Sequence, residues 1–271
     1  MRPWCLAVVV SVCAGPAPAA TAQALVDRRV EAGGTTIHLR CGGDRESGAS
    51  LVVLEAGAFN TVDTWRDVQA PIAAFARVCA HDRPGRGTSG AAPAGLDGPG
   101  YVALLATTLR AAGEAPPYVL VGHSLGGLIA QLYAALRPED VAGVVLVDSS
   151  HPDQARRLSG LPPRPPASPG GPAAPQPPPE AVSLDAFAAA LHRAPPRLHV
   201  PLAVVTRSRW TNGTDGAADR PWLDAWKELQ REMAAQSPVS RHIQATSSGH
   251  YVQNDEPALV VDAVRWTLSR R

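Results

Sequence analysis

The feature that most constrains this chain is an apolar run that ends in Gly-X-Ser-X-Gly and passes directly into a helical pattern. The apolar run 118–121 precedes Gly122, and the helix-forming run 125–136 follows Ser124. Glycines at 122 and 126 permit a sharp turn, because a side chain at either position would collide with the neighbouring strand or helix. Such a turn predicts a strained, exposed serine at a helix start, where backbone N–H groups favour developing negative charge. The pentapeptide alone is equally compatible with an ordinary Gly/Ser turn, so the interpretation depends on its context.

Apolar runs and helical patterns alternate along the rest of the chain, as in the βαβ units of a mostly parallel sheet covered on both faces. The length of 271 residues fits one large α/β domain. Most of the strand patterns are apolar throughout, which is typical of parallel strands buried on both sides. We predict strands at 35–40, 51–55, 78–81, 118–121, 141–147, 202–206 and 242–245, and helices at 64–75, 101–112, 125–136, 183–192, 222–235 and 257–268.

The first 22 residues have the pattern of an export signal. Arg2 supplies a short positive region, an apolar run follows over 4–13, and small residues occupy 17–22. The apolar run is too short to span a bilayer comfortably, so we expect no stable membrane span in the mature chain. The pattern predicts a secreted or periplasmic protein, the alternative being a disordered or buried N-terminal extension.

A serine hydroxyl becomes nucleophilic only with a neighbouring base and a group that orients this base. The candidate base is His250, because it lies between the last predicted strand and the last predicted helix, in a loop that can reach over Ser124. The other late histidines, His192, His199 and His242, belong to a helical pattern, a polar linker and a strand.

Two aspartates compete for the role of the acid. Asp148 ends the apolar run 141–147, at the carboxyl edge where functional groups gather in open α/β sheets. The strand at 202–206 leads instead into Arg207, without a carboxylate. Asp215 is the second candidate and would serve if its loop folds back towards the serine. A capping role for Asp148 is the alternative to a catalytic one.

Two backbone N–H groups are expected to bind the oxyanion, those of Leu125, which follows the serine, and of Ala58, in the loop after strand 51–55. Small residues in this loop allow the main chain to approach a substrate, although a plain glycine turn fits them equally well. We interpret the loop that contains Asp82 and Arg83 as a structural support of this site.

Taken in order, these motifs resemble the α/β-hydrolase fold superfamily, in the group of single-domain serine hydrolases of the esterase or lipase type. The resemblance covers nearly everything from about residue 27 onward except a proline-rich insert. It implies an α/β fold with an eight-stranded, mostly parallel sheet flanked by helices, and a cap inserted after the sixth strand. Ala56 departs from the histidine of many relatives, and the usual acid position after the seventh strand is empty. The motifs are the loop 55–58, the loop 82–89, the turn 122–126, and Gly249 with His250 before the last helix.

The N-terminal pattern and the resemblance together divide the chain into a signal peptide at 1–22, a first part of the core at 23–150, a cap at 151–198, and a second part of the core at 199–271. Residues 161–180 contain ten of the chain's 27 prolines, a composition typical of mobile or polyproline-like segments. We therefore expect a short, proline-rich and partly disordered cap.

Cys41 and Cys79 remain after removal of the signal, and each ends a strand-like run. Export permits a disulfide, and the two strands are neighbours in the implied fold, so we expect Cys41 and Cys79 to be joined. Two buried free thiols are the alternative.

Together these residues predict an exported serine hydrolase that cleaves a carboxylic ester or related acyl bond through Ser124, His250 and Asp148. A cofactor-free perhydrolase or haloperoxidase-like enzyme, or an acyltransferase, would use the same side chains, and a non-catalytic ligand-binding homologue is a further alternative. The expected partner is a small-molecule ester or acyl substrate. With 25 basic and 24 acidic residues and no charge block, nothing indicates a nucleic-acid partner. The sequence implies no metal or organic cofactor and leaves the oligomeric state open.

Overall fold

The computed structural model describes residues 24–162, 180–194, 197–210 and 216–270. Within these ranges the chain forms one eight-stranded sheet with helices on both faces, which confirms the predicted fold class. The strands are β1 (Val26–Ala32), β2 (Thr35–Gly42), β3 (Leu51–Glu55), β4 (Val78–His81), β5 (Tyr118–His123), β6 (Val141–Val147), β7 (Leu202–Thr206) and β8 (Ser240–Gln244).

The strand order across the sheet is β1-β2-β4-β3-β5-β6-β7-β8. The first two pairings, β1 with β2 and β2 with β4, are antiparallel, and every other pairing is parallel. The seven strands predicted individually from sequence did not include β1. Its sequence, VDRRVEA, is charged and largely solvent-accessible, as suits an edge strand that has no fully buried face.

Helices cover both faces of this sheet, because each crossover between parallel strands carries the chain over one face. Two helices, predicted at 125–136 and 257–268, begin and end at the predicted residues, and the other predicted helices differ from the observed ones by a few residues at their ends. The helices are α1 (Arg66–Ala73), α2 (Gly98–Ala111), α3 (Leu125–Leu136), α4 (Gln154–Leu158), α5 (Leu184–Arg193), α6 (Arg220–Ala234), α7 (Val252–Asp255) and α8 (Pro257–Leu268).

Side chains of β3 alternate between two apolar layers, because successive residues of a strand point to opposite faces. Leu51 and Val53 pack in the layer formed with α2 and α3, whereas Val52 and Leu54 pack in the layer formed with α1 and α8. All four are buried. Each such burial contributes about 1.5–3 kcal/mol to the free energy of unfolding, and covering on both faces explains why the central strands are apolar throughout.

The parallel arrangement directs the ends of β3, β5, β6 and β7 to one edge of the sheet. His123 ends β5, and the register pairs it with Val147 at the end of β6. The loops that follow these strands therefore meet at this carboxyl edge.

Cys41 of β2 and Cys79 of β4 are register partners and form a disulfide. The bond joins residues 38 positions apart. A cross-link of this kind typically contributes about 2–4 kcal/mol, mainly by restricting the unfolded chain.

The segment expected to form a cap lies between β6 and β7, and its described parts contain α4 and α5. Residues 163–179 and 195–196 of this segment lie outside the described residues, as does the predicted signal peptide at 1–22. Among the helices that the structure describes, none combines the length and the apolar character needed to cross a bilayer.

Candidate active site

Ser124 occupies a strained turn between β5 and α3, with φ 52° and ψ −118°. A non-glycine residue in such a conformation costs on the order of 1–3 kcal/mol and persists only where its surroundings fix it. Three backbone hydrogen bonds fix it here. The Ser124 N–H donates to Val147 O (3.2 Å), and its carbonyl accepts from the N–H groups of Gly127 (2.9 Å) and Ser150 (3.0 Å).

The turn tolerates no side chain at its glycines. A β-carbon at Gly122 would collide with the backbone of Gly126, and one at Gly126 would lie 2.7 Å from Ala56 O. At Gly57 it would lie 2.6 Å from Nδ1 of His123. The loop after β3 therefore packs directly against the turn after β5.

This packing brings the two predicted oxyanion-binding segments together. Ala58 follows Gly57 in the loop and is half-buried, while Leu125 follows the serine and is the first residue of α3. Backbone N–H groups of a first helical turn have no partner within their own helix, so they are available to an anionic group.

Asp148 and His250 are hydrogen-bonded, with 2.6 Å between Oδ2 and Nδ1. Asp148 directly follows β6, has a positive φ of 41°, and donates its N–H to Val205 O (2.7 Å). Its side chain is fully buried, whereas 30% of the His250 side chain is exposed. The structure thus gives this imidazole a buried anionic partner on one nitrogen and access to solvent.

The carboxylate of Asp148 has three further donors. The Nε of Arg207 lies 2.6 Å from Oδ2, the backbone N–H of Arg207 lies 3.1 Å from Oδ1, and Nε1 of Trp226 lies 2.7 Å from Oδ1. Burial alone would raise the pKa of Asp148, but the Arg207 charge and the hydrogen bonds from His250 and Trp226 lower it from 3.8 to about 2. We call Asp148, Arg207, Trp226 and His250 the Asp148 centre.

His123, which precedes Ser124, connects the turn to the Asp148 centre. Its ring centroid lies 4.6 Å from that of His250, and its Nε2 is 2.9 Å from the carbonyl oxygen of His250. Burial, together with the nearby His250, lowers the pKa of His123 to about 3. A neutral ring therefore stands between the serine turn and the loop of His250, and its Nε2–H anchors that loop.

Arg83, in the loop after β4, binds the backbone of the loop after β3. Its guanidinium donates to Ala56 O and to Gly57 O, each at 2.6 Å. It also binds the carboxylate of Glu180, at 2.8 Å to Oε1, which in turn accepts the N–H of Phe59 at 2.5 Å. Burial opposes ionisation of Glu180, but Arg83 and the Phe59 N–H lower its pKa.

A second buried carboxylate lies beneath this loop. Glu55 accepts from Nε2 of His81 (2.8 Å), from Arg83 (3.0 Å) and from the hydroxyl of Tyr101 (3.1 Å). Burial alone would raise the pKa of Glu55, but His81 and Arg83 lower it, while burial and the Glu55 charge raise the pKa of Tyr101. We call these four residues the Glu55 centre.

The structure brings Asp148 and His250 into contact and positions both beside the Ser124 turn. Asp215 lies outside the described residues, whereas Asp219 precedes α6 and accepts the N–H of Gly216 (3.0 Å). No role for Arg207 was predicted from sequence. The signal that could have indicated such a role is its position directly after a fully apolar strand. A parallel strand that ends at the carboxyl edge directs the next residue towards the site.

The contacts of Trp226 and Glu180 with the site were also missed. Trp226 is a buried residue of a strongly amphipathic helix, a pattern that predicts core packing and does not predict a hydrogen bond to a specific carboxylate. Glu180 binds a residue 97 positions away, and no local pattern reports such a contact.

Comparison with known proteins agrees with this fold. A family model described as the alpha/beta hydrolase family matches residues 51–263, more than half of the chain. The chain is 29% identical over 218 residues to YqjL of Bacillus subtilis, covering 79% of this chain and 81% of that protein. It is 36% identical over 106 residues to the pimeloyl-[acyl-carrier protein] methyl ester esterase of Klebsiella pneumoniae, covering 39% of this chain and 38% of that protein.

Among solved structures, the enol-lactonase of Burkholderia xenovorans superposes with a TM-score of 0.62 at 16% identity. That match covers 89% of this chain and 100% of the lactonase and shows a shared fold. The family match and the eight-stranded sheet confirm the resemblance seen in the sequence motifs. The protein is a hydrolase by family, and the chain belongs to the alpha/beta hydrolase family.

Proposed function

We propose that the protein is an exported serine hydrolase that cleaves a carboxylic ester through Ser124, His250 and Asp148. The observation that carries the proposal is the 2.6 Å Asp148–His250 hydrogen bond next to the strained Ser124 turn. A buried carboxylate bonded to a partly exposed imidazole is the arrangement that activates a serine hydroxyl, because it fixes the tautomer of the ring and stabilises its charged form.

In the proposed reaction, Nε2 of His250 accepts the hydroxyl proton while Oγ of Ser124 attacks the acyl carbonyl carbon. The N–H groups of Leu125 and Ala58 bind the oxyanion that forms. The imidazolium then donates its proton to the departing alcohol oxygen, which leaves an acyl-enzyme. Water attacks the acyl carbon with His250 again as the base, and Ser124 regains its proton as the carboxylic acid leaves.

An ester as the substrate is supported by two observations. A serine nucleophile with an oxyanion site is suited to acyl transfer, and one of the relatives is named a methyl ester esterase. The segment between β6 and β7, which we propose to be a cap, contributes Glu180 to the loop of Ala58. Acyl-chain length and alcohol size would then be set where this segment meets the loop.

The first experiment compares hydrolysis of short-chain activated esters by the wild type and by Ser124→Ala. We expect kcat to fall by about 10⁴-fold or more, with an unchanged circular dichroism spectrum. Ser269→Ala, which changes an exposed serine after α8, is the matched control and should keep wild-type turnover. A fluorophosphonate should label Ser124 alone; turnover that survives in Ser124→Ala would reject the proposal.

Export is a separate part of the proposal, and the disulfide between Cys41 and Cys79 supports it, because such bonds persist mainly in oxidising compartments. Expression of the full chain in a bacterial host with periplasmic fractionation tests this part. We expect a mature protein that begins after residue 22 and has no free thiol. Full-length protein retained in the cytosol with all four cysteines titratable as thiols would contradict it.

A further inference from the structure

The loop after β3 forms a β-turn at residues 57–60, and the third residue of this turn is strained. The N–H of Asn60 donates to Gly57 O at 3.2 Å, which closes the turn, and Phe59 has a positive φ of 64°. This position of such a turn favours glycine, and another residue persists there only where its surroundings fix it. The Phe59 side chain is 50% exposed, so burial in the core does not hold it. The contacts around its backbone do.

Arg83 fixes the first peptide of this turn. Its guanidinium donates to Gly57 O through Nη2, at 2.6 Å. In a planar trans peptide, the C=O and the N–H point to opposite sides. Because Gly57 O faces the guanidinium, the N–H of Ala58 in the same peptide is directed away from Arg83. That N–H is one of the two proposed oxyanion donors.

Glu180 fixes the next peptide. Its Oε1 accepts the Phe59 N–H at 2.5 Å and lies 2.8 Å from Nη2 of Arg83. The Phe59 N–H belongs to the peptide that follows Ala58, so Arg83 and Glu180 together hold both peptides that flank this residue. The same Nη2 contacts Gly57 O and Glu180, which joins the two anchors.

The carboxylate of Glu180 is itself held firmly by buried cations. The Glu180 side chain is 7% exposed, and those of Arg83 and Arg86 are 4% and 6% exposed. Nε of Arg86 lies 3.2 Å from Oε1, and Nε of Arg83 lies 3.1 Å from Oε2. A buried carboxylate with charged donors on both oxygens is fixed in position, unlike a glutamate on the surface.

Structural needs alone do not call for Glu180 at this place. Arg83 already has a buried anionic partner in Glu55, at 3.0 Å, and an N–H in a turn with an exposed side chain can bind water. The chain nevertheless brings a carboxylate from 121 positions away to the residue that follows Ala58. Strained backbone that several contacts hold in place is typical of functional sites.

We propose that Glu180 is a positioning residue that holds the Ala58 N–H in the geometry that binds the oxyanion. The inference rests on the proposed function, because the oxyanion forms in that reaction. Glu180 acts through Phe59 and Arg83 and touches no substrate. Catalysis then depends on the segment between β6 and β7, since this segment supplies one anchor of the loop after β3.

The test compares kcat and KM for a short-chain activated ester in the wild type, Glu180→Ala, Glu180→Gln and Asp185→Ala. Removal of one oxyanion donor typically lowers kcat by roughly 10²–10³-fold, and a displaced donor costs part of that. We expect Glu180→Ala to lower kcat per active site by about 10- to 100-fold and to change KM by less than about twofold, because the donor acts in the transition state. Glu180→Gln keeps an oxygen for the Phe59 N–H and should recover most of kcat. Asp185→Ala changes an exposed carboxylate of α5 in the same segment and should keep wild-type values.

A transition-state analogue gives an independent reading of the same effect. The Ki of an alkyl boronic acid, which forms a tetrahedral adduct with an active serine, should rise in Glu180→Ala by the factor by which kcat falls. A kcat of Glu180→Ala equal to that of Asp185→Ala would overturn the inference, as would a loss confined to KM or to the fraction of active sites. Ester hydrolysis that is unchanged in Ser124→Ala would reject the proposed function, and the inference with it.

A second measurement needs neither turnover nor a Glu180→Ala variant that folds. In Ser124→Ala, hydrogen exchange followed by nuclear magnetic resonance reports whether the Phe59 N–H is held by a partner. We expect this N–H to exchange about 100-fold or more slowly than an unprotected amide, and to keep this protection when Asp185→Ala is added. Exchange at the rate of an unstructured peptide would show that Glu180 does not hold the turn and would overturn the inference whatever the turnover.

Discussion

Two fully buried carboxylates lie at the carboxyl edge of the sheet, and each is paired with an arginine and a histidine. In the Glu55 centre the histidine is His81, whose side chain is only 3% exposed. In the Asp148 centre it is His250, whose side chain is 30% exposed. The ionic components are the same, and the surroundings of the imidazole differ.

The difference follows from the elements that carry the two histidines. His81 ends β4 inside the sheet, whereas His250 lies in the loop between β8 and α7, next to the turn that carries Ser124. The first arrangement fixes a loop, and the second leaves an imidazole accessible to solvent. A buried carboxylate with an arginine and a histidine therefore does not identify a catalytic site by itself. Under the proposed function, the exposure of His250 and the neighbouring Ser124 distinguish the Asp148 centre from the Glu55 centre.

The sharpest test of this comparison is to neutralise each carboxylate in turn. Asp148→Asn should lower kcat by about 10⁴-fold, because the amide no longer stabilises the imidazolium that forms in the reaction. Glu55→Gln should cost far less in kcat, since the carboxylate of Glu55 accepts its hydrogen bonds from His81, Arg83 and Tyr101. Ester hydrolysis by folded variants, quantified by active-site labelling, measures both; equal losses would remove the distinction between the two centres.

The second test concerns acid stability near the Asp148 centre. Because His123 has a folded-state pKa of about 3 against 6.5 in the unfolded chain, the unfolded state binds more protons below pH 6.5. The free energy of unfolding should fall as pH drops from 6.5, by about 1.4 kcal/mol per unit and about 4 kcal/mol in all by pH 3.5.

Urea unfolding at a series of pH values measures this slope, and His123→Phe should remove most of it. The contribution of Asp148, whose pKa is lowered to about 2, is present above pH 4 and is lost only as pH falls towards 2. His123 and Asp148 therefore change the free energy of unfolding in different pH ranges, so their contributions can be told apart. A slope that is identical in His123→Phe and the wild type would show that His123 does not carry it.

The third test measures how much the Glu55 centre contributes to the free energy of unfolding. Glu55→Gln removes the buried anion that His81 and Arg83 share, and we expect it to lower the free energy of unfolding by about 3 kcal/mol. Glu139→Gln, at an exposed glutamate, is the matched control and should change it little. Thermal or urea unfolding at pH 7 measures the difference between the two variants. A Glu55→Gln variant as stable as Glu139→Gln would contradict a structural role for the Glu55 centre.

The smallest expected effect comes from Trp226→Phe, which removes the hydrogen bond to Oδ1 of Asp148 and keeps an aromatic ring. A hydrogen bond to a charged group contributes about 1.5–3 kcal/mol, so kcat should fall by about tenfold. Trp222→Phe is the control, because its Nε1 donates to Pro162 O instead. Equal kcat in the two variants would show that this bond does not position the carboxylate.

The sequence contained enough to predict most of the sheet and the position of the candidate site. Apolar strands report burial on both faces directly, and Ser124 and Asp148 each follow such a strand, so their places at the carboxyl edge depend on local pattern alone. His250 is predictable because it comes between the last strand and the last helix.

The remaining features depend on contacts that no local pattern encodes. Strand β1 is exposed and charged, so it lacks the apolar signal that revealed the others. An arginine such as Arg207 is usually a surface residue, and only the fold shows that its charge is buried against Asp148. The contact of Glu180 with Phe59 bridges 121 positions of the chain and is set by tertiary packing.

The location of Asp148 after β6 places two of the three proposed catalytic residues close together along the chain. Strand β5, helix α3 and strand β6 follow one another along the chain and pack side by side, so one βαβ unit carries both the hydroxyl and the carboxylate. The imidazole belongs to His250, which lies more than 100 positions further along the chain, between β8 and α7. Under the proposed function, a nascent or C-terminally truncated chain that lacks His250 has no catalytic base. We therefore expect ester hydrolysis only once the C-terminal segment has packed against the rest of the domain.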